Sequence, residues 1–219
     1  MSHTVHPYSH RLTIIKDWKS RWFSVNKKYR DSLKSDTLIR EYLDKRLRGL
    51  YVSSVETERS EKAFRIIIET SRPGLIIGKN GEGSSKLRED IMKVISKKNL
   101  SVPQNIKIDI KEIRSPESNA SIVAQMIAEG LEKRLPFRRV MKQMIDKVVA
   151  NRDVLGAKIE LAGRLGGAEM SRREKLKKGQ IPLQTFRADI DYANYEAHLP
   201  YGKLGIKVWI YKGEIFEDK

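Results

Sequence analysis

The segment SRPGLIIGKNGEGSSKLRED, residues 71–90, joins a short apolar run to a charged stretch of helical periodicity through a turn that contains glycines. This turn is not a nucleotide-binding P-loop, which has four residues between its first glycine and a Gly-Lys pair that Ser or Thr follows. Here three residues separate Gly74 from Gly78, and Asn80 follows Lys79. Two interpretations remain, a plain connection between two helices and a clamp for a nucleic-acid backbone.

The composition of the chain favours the second interpretation. Among its 219 residues, 44 are Lys or Arg and 28 are Asp or Glu, which gives a net charge of +16. Such an excess indicates a polyanionic partner, and nucleic acid is the first candidate. An anionic membrane is the competitor, but no apolar run approaches the roughly 18 residues of a membrane-spanning helix. We therefore expect no membrane association.

The absence of cysteine and of a secretory pattern further limits the classes of protein to which the chain can belong. A chain without cysteine has no disulfides, no thiolate metal site and no cysteine nucleophile. The N-terminus lacks an apolar core followed by small residues, so we expect no secretory signal and a cytoplasmic protein. The length predicts two small domains rather than one.

The residues around the opening segment alternate between helical and strand patterns. The stretch from Asp36 has apolar residues at helical spacing, with Asp36 as the predicted N-cap and Gly49 as the stop. Residues 51–58 and 63–70 read as two strands of a hairpin, and residues 105–113 as a further strand. The predicted order is α-β-β-α-α-β over residues 36–114, after a basic N-terminal arm at 1–35.

A second domain is predicted over residues 115–219. Ser115 is the expected N-cap of a helix that Pro116 opens, and Pro136 separates this helix from a second one. Three alternating segments then predict strands, namely AKIELAGR (157–164), PLQTFRADIDYA (182–193) and LGIKVWIYKG (204–213). The predicted fold class is α+β, with two helices packed on a mainly antiparallel β-sheet in this domain.

The first domain resembles a KH domain of type II, because it places a Gly-x-x-Gly turn between two helices of an α-β-β-α-α-β unit. The resemblance implies an RNA-binding loop made of Gly78, Lys79, Asn80 and Gly81. Without β-carbons at Gly78 and Gly81, a sugar-phosphate backbone can approach the main chain, and Lys79 supplies positive charge.

Four further segments resemble the bacterial family of small-subunit ribosomal protein three. They are RLTIIKDWKSRWF (11–23), LPFRRVMKQMI (135–145), LAGRLGGAEMSRREKLKKGQIPLQTFRADIDY (161–192) and YGKLGIKVWIYKGE (201–214). The resemblance implies a structural protein of the small ribosomal subunit without enzymatic activity or cofactor. Such a protein binds ribosomal RNA in the subunit head, touches head proteins two, ten and fourteen, and lines the channel where messenger RNA enters, assisting its unwinding.

The same resemblance assigns candidate RNA contacts in the second domain. Contacts to messenger RNA fall on Arg138, Arg139 and Lys142, which span an arc of roughly 100° on a helix. A merely solvated charged face is the alternative for these three residues. Between residues 170 and 185 the family usually carries Trp and Tyr, where this chain is basic instead. Contacts to ribosomal RNA are expected at Arg164, Arg172, Arg173, Lys175, Lys177 and Lys178.

Two other constellations suggest rival functions, a metal site and a nuclease. The histidines at positions 3, 6 and 10 have a spacing that permits metal binding, but no carboxylate or cysteine completes a set, so we expect no metal. Asp189 and Asp191 lie on one predicted strand face, as a two-carboxylate nuclease requires. Arg187 shares that face, which favours a structural ion pair. A free KH-type regulator of messenger RNA is the remaining alternative.

Overall fold

The computed structural model describes residues 5–60, 63–98 and 105–216, which form two compact units. One unit is Trp18–Arg114, and the other combines the described residues up to Asp17 with those from Ser115 onward. The first 35 residues therefore do not form one separate arm, since they contribute to both units. No helix among the described residues has the length and apolar character needed to cross a membrane.

Helices and strands alternate along both units. The α-helices are α1 (Pro7–His10), α2 (Asn26–Arg46), α3 (Pro73–Ile77), α4 (Glu82–Ser96), α5 (Ala120–Glu132) and α6 (Phe137–Val149). The strands are β1 (Ser20–Arg21), β2 (Val52–Arg59), β3 (Ala63–Thr70), β4 (Asn105–Glu112), β5 (Gly156–Gly163), β6 (Arg172–Gly179), β7 (Ala188–Leu199) and β8 (Gly202–Glu214).

The Trp18–Arg114 unit has the predicted α-β-β-α-α-β order, formed by α2, β2, β3, α3, α4 and β4. Strand β3 pairs antiparallel with β2 and parallel with β4, and the short β1 adds a parallel edge beside β2. Ile39 of α2, Ile91 of α4 and Ile66 of β3 meet in one core and are fully buried. The α+β fold with a KH-type unit is thereby confirmed.

Helix α2 begins eleven residues earlier than predicted, at Asn26. The predicted N-cap, Asp36, lies inside the helix with 4% of its surface exposed. Its Oδ2 accepts hydrogen bonds from Ser20 Oγ at 2.7 Å and from Arg40 Nε at 3.2 Å. Asp36 thus binds β1 and the next helical turn through Oδ2, and the prediction of a helix start there was wrong.

The second unit packs α5 and α6 on one face of a four-stranded antiparallel sheet with the order β6-β5-β8-β7. Ser115 does not cap α5, because residues 116–118 form a separate 3₁₀ turn. The helix begins at Ala120 instead, after Asn119, whose Oδ1 accepts from the backbone N–H of Ser121 at 3.1 Å. An Asn side chain satisfies a free donor of the first turn in the same way as Ser.

Strand β6 was not predicted, and β7 begins at Ala188 rather than at Pro182. Strand β6 is a sheet edge that pairs from Gly156↔Gly179 to Gly163↔Arg172, and most of its side chains are exposed. Pairing uses the backbone alone, so a strand that packs little against the core needs no apolar alternation. Its many lysines are also typical of edge strands, where charge prevents pairing with other chains.

The segment before β7 is held by Arg11, a fully buried arginine. Its guanidinium donates to the backbone oxygens of Ala188 at 2.6 Å, Thr185 at 2.9 Å, Leu183 at 3.0 Å and Pro7 at 3.1 Å. Burial lowers the pKa of Arg11 because it disfavours the charged form, and the nearby carboxylate of Asp189 opposes that shift. Arg11 therefore fastens the N-terminal segment to the turn that leads into β7.

Candidate nucleic-acid interface

The Gly-x-x-Gly loop of the first unit connects α3 to α4 through backbone conformations of the left-handed region. The φ angles are 71° at Gly78, 51° at Asn80 and 79° at Gly81. Glycine adopts these angles freely, and asparagine tolerates them better than most residues. The side chains of Lys79 and Asn80 are exposed at the tip of the loop.

The two loop glycines have different structural roles. A β-carbon on Gly78 would lie 2.9 Å from the backbone nitrogen of Gly83, and one on Gly83 would lie 2.6 Å from the Ile76 oxygen. Gly78 and Gly83 must therefore lack a β-carbon for α3 and α4 to pack closely. At Gly81 the nearest atom to an added β-carbon is Ser84 Oγ, at 3.8 Å. Only Gly81 leaves open space beside the exposed tip, so the predicted approach of a sugar-phosphate backbone fits there.

Replacing Lys79 and Asn80 together by Asp should weaken binding of a short single-stranded RNA several-fold at low salt. Two carboxylates would then face phosphate, while both loop glycines stay in place and Asp tolerates the φ of residue 80. Fluorescence anisotropy measures the affinity, and circular dichroism should be unchanged. The matched control replaces Lys93 and Ser96, both exposed on α4, by Asp. Equal affinities of the two double variants would remove this loop from RNA binding.

In the second unit, an open groove of about 420 Å³ runs between α6 and β6. Its apolar floor consists of Met141 and Ile145 from α6 and Leu176 from β6. Its cationic side chains are Arg138 and Lys142 on α6 and Lys178 on β6, beside the carboxylates of Asp146 and Glu174. Lys175 and Lys177 alternate with Leu176 along β6, so their side chains point to the opposite face of the sheet. The structure thus brings residues predicted to contact messenger RNA together with residues predicted to contact ribosomal RNA. Arg139 is absent from the described residues that line the groove and lies on the exposed side of α6.

Ion pairs position the groove cations without burying them. Arg138 Nη2 lies 3.3 Å from Glu174 Oε1, and Lys178 Nζ lies 2.9 Å from Asp146 Oδ1. The side chains of Arg138 and Lys178 keep 76% and 53% of their surface exposed. Such exposed pairs contribute little stability, so phosphate can replace the carboxylates as partner. Arg173, on the same strand, pairs with Glu160 at 3.2 Å.

Arg164 and Arg172 lie near two aromatic rings. Arg164 donates from Nε to the Ala168 oxygen at 2.9 Å, and its guanidinium lies 5.7 Å from the ring centre of Tyr201. The guanidinium of Arg172 lies 5.5 Å from the ring centre of Phe137. Sequence patterns did not single out Phe137 and Tyr201. The only sign of their role in the sequence is that Phe137 precedes a basic segment and Tyr201 precedes a glycine.

The histidines of the N-terminal segment pack against rings of the second unit. His6 accepts from the Tyr8 backbone N–H at 3.2 Å and meets the Tyr192 ring edge-on, and His10 stacks on Phe186. His3 lies outside the described residues. Among the described residues, the structure holds no group of three His, Cys, Asp or Glu side chains that could bind a metal ion.

The two aspartates of the nuclease hypothesis are engaged in structural contacts. Asp189 pairs with Lys16 at 2.7 Å, and Asp191 accepts from the backbone N–H of Ala120 at 2.8 Å. The predicted ion pair between these aspartates and Arg187 was wrong. Arg187 pairs with Glu214 at 2.6 Å, because the register places the start of β7 opposite the end of β8.

Comparison with known proteins gives matches over both units. A family described as "Ribosomal protein S3, C-terminal domain" matches residues 127–210, and one described as "KH domain" matches residues 38–118. The chain is 43% identical over 219 residues to small ribosomal subunit protein uS3 of Clostridium novyi, covering 100% of this chain and 96% of that protein. It is 46% identical over 215 residues to the uS3 protein of Pseudomonas paraeruginosa, covering 98% of this chain and 91% of the relative.

Proposed function

Because the chain belongs to the family of small ribosomal subunit protein uS3, we propose that it lines the channel where messenger RNA enters and assists the unwinding of structured messages. Membership of this family makes it a non-enzymatic constituent of the small ribosomal subunit and an RNA-binding protein. Family membership alone does not give the role at the messenger channel, which we infer from the geometry of the second unit.

The observation that supports this role is the groove between α6 and β6. Its walls present cations from two elements to the same open space, whereas its floor is apolar. A single strand of RNA has charged phosphates and apolar base faces, so both parts of the groove have a matching partner. The two walls would hold one strand through its phosphates without reading its sequence.

Strand separation by this groove needs no catalytic step in the protein itself. If fixed cations hold one strand at the entrance, translocation by the ribosome pulls the duplex against that hold and opens it. The cations lower the free energy of the single-stranded path through phosphate contacts. Such a role agrees with an opening segment that lacks the spacing of a P-loop.

The remaining partners follow from the family and are part of the proposal. We assign the protein to the head of the small subunit in the cytoplasm, in contact with ribosomal RNA and with head proteins two, ten and fourteen. The basic residues of β6, together with Arg164, are the candidate ribosomal RNA contacts, and the Gly-x-x-Gly loop is a candidate RNA-binding loop. A free KH-type regulator would need only the first unit, whereas the similarity to uS3 proteins extends over both units.

Replacing Arg138, Arg139 and Lys142 by Ala should slow translation selectively on structured messages. The substitutions remove three exposed charges and keep a high helix propensity, and the buried side of α6 is unchanged, so folding and assembly should survive. Reconstituted ribosomes carrying the variant should translate an unstructured message at nearly the normal rate. On a message with a stable hairpin downstream of the start codon, we expect a several-fold slower rate.

The matched control replaces Lys27, Lys28 and Arg30 of α2, which are equally exposed, by Ala. Ribosomes that carry this control variant should translate both messages at the rates of the unmodified ribosome. If the α6 variant slows both messages equally, or neither, the three residues have no part in unwinding.

A further inference from the structure

The geometry points to a second RNA site in the C-terminal unit, a pocket beside Phe137 and Tyr201 that takes one unstacked nucleobase of a single-stranded RNA. The pocket holds about 280 Å³ and is separate from the groove between α6 and β6. This volume is slightly below the roughly 300 Å³ at which sites for drug-sized ligands begin, so it suits a small group such as one base.

Three connections of the fold meet to form the walls of this pocket. The α5–α6 turn contributes Leu135, and α6 contributes its first residue, Phe137. The turn after β5 contributes Gly166 and Gly167, and the turn between β7 and β8 contributes Tyr201. The Arg164 side chain ties two of these walls together, since it donates to the oxygens of Ala168 at 2.9 Å and Tyr201 at 3.5 Å. The pocket is therefore held by a specific contact between turns that are distant in sequence.

The two glycines keep space open beside the rings. Their φ angles are 69° and 81°, which only glycine adopts without strain. A β-carbon on Gly166 would lie 3.9 Å from the Phe137 ring, and one on Gly167 would lie 3.5 Å from the Tyr201 ring. Any larger side chain would fill the space that lies against the rings. Tyr201 itself is 61% exposed, which leaves ring surface on which a base can stack.

The charges around the pocket select RNA over an apolar protein side chain. The guanidinium groups of Arg164 and Arg172 lie over the rings of Tyr201 and Phe137, and Arg134 lines the pocket directly. None of the described residues that line the pocket is acidic. An aromatic surface surrounded by arginines matches a base with its flanking phosphates. An aliphatic side chain from a protein partner would gain nothing from these cations.

Arg134 occupies its position at a conformational cost. It has a φ of 60° just after the end of α5, where the N–H of Leu135 reaches back to the Gly130 oxygen at 3.1 Å and that of Arg134 to the Leu131 oxygen at 2.9 Å. These bonds form a Schellman motif, whose left-handed residue is usually glycine. An arginine there is strained, and strained residues cluster at functional sites. The positive charge of Arg134 at the rim of the pocket explains why an arginine, and not glycine, occupies this strained position.

The inference rests on RNA binding by the second unit, but not on the position of α6 at the messenger channel. Its test uses the full-length chain and a short single-stranded RNA with one central 2-aminopurine, whose fluorescence falls when the base stacks. The Tyr201→Ala variant should bind this RNA roughly tenfold more weakly, a change of about 1.4 kcal/mol, because the base loses the ring on which it stacks. It should also lose the fluorescence quenching.

The matched control is Phe216→Ala. Phe216 is 67% exposed and also has a guanidinium near its ring, that of Arg187 at 5.3 Å, but it lines no pocket described above. This variant should keep both the affinity and the quenching. A second variant, Arg134→Gly, should fold at least as stably as the natural chain and lower the slope of log affinity against log salt by about 0.7.

Comparison with an RNA that lacks the central base separates stacking from charge. Tyr201→Ala should leave the affinity for that RNA unchanged, whereas the triple α6 variant should weaken both RNAs alike. The inference is overturned if Tyr201→Ala binds both RNAs as the natural chain does, as expected for a pocket that takes a protein side chain. It is also overturned if both RNAs lose the same affinity. A triple α6 variant without effect would instead count against the proposed groove and leave the pocket intact.

Discussion

Raising the salt concentration from about 50 to about 200 mM should weaken the binding of RNA by this chain by roughly 10³-fold. Each Lys or Arg that neutralises a phosphate releases a condensed counterion, and this release becomes less favourable as salt rises. The chain has a net charge of +16, and the groove alone presents three cations, Arg138, Lys142 and Lys178. For a single strand, about seven phosphate contacts are enough for an effect of this size.

The slope of log affinity against log salt measures how many phosphates are contacted. For a single strand each contact contributes about 0.7 to the slope, so the triple α6 variant should lower it by about two. Two short RNAs of equal length and different sequence should bind with similar affinity, because phosphate contacts carry no sequence information. An affinity that falls less than tenfold over this salt range would contradict a binding mode dominated by phosphate.

Replacing Arg11 by Met should lower the free energy of unfolding of the second unit by about 3 kcal/mol, a value typical of the loss of a buried charged group with several partners. Methionine fills much of the same volume but donates no hydrogen bond. The oxygens of Leu183, Thr185 and Ala188 would then be left without the buried donor that they share. Urea unfolding followed by circular dichroism measures the loss.

Two further variants identify the cause of that destabilisation. Arg11→Lys keeps the charge, but a single ammonium group cannot reproduce the planar fork of donors, so it should also destabilise the unit. Arg187→Met removes an arginine whose side chain is 59% exposed and pairs at the surface, and should cost less than about 1 kcal/mol. Equal stability of the Arg11 and Arg187 variants would show that the buried contacts contribute nothing. Hydrogen exchange should also become faster in residues 181–188 of the Arg11→Met variant alone.

The sequence by itself determined the elements that bury an apolar pattern and the family of the protein. The α-β-β-α-α-β order followed from helical and alternating periodicities, as in Ile106, Ile108 and Ile110 of β4, which all belong to or pack against the core. The family was recognised from segments such as RLGGAE, residues 164–169, in which both glycines have positive φ angles. Both signals are local, because periodicity and positive φ act within a few neighbouring residues.

Only the tertiary structure decided the roles of the charged residues. Arg11 and Arg138 are the same residue type in the sequence, yet one is buried among backbone oxygens and the other is 76% exposed beside a groove. Strand β6 was not predicted, because a strand that pairs with β5 through its backbone needs no apolar alternation. Hydrogen bonds and ion pairs of this kind join residues that are up to 177 positions apart. A local pattern carries no information about such partners, because they meet only when the sheet has formed.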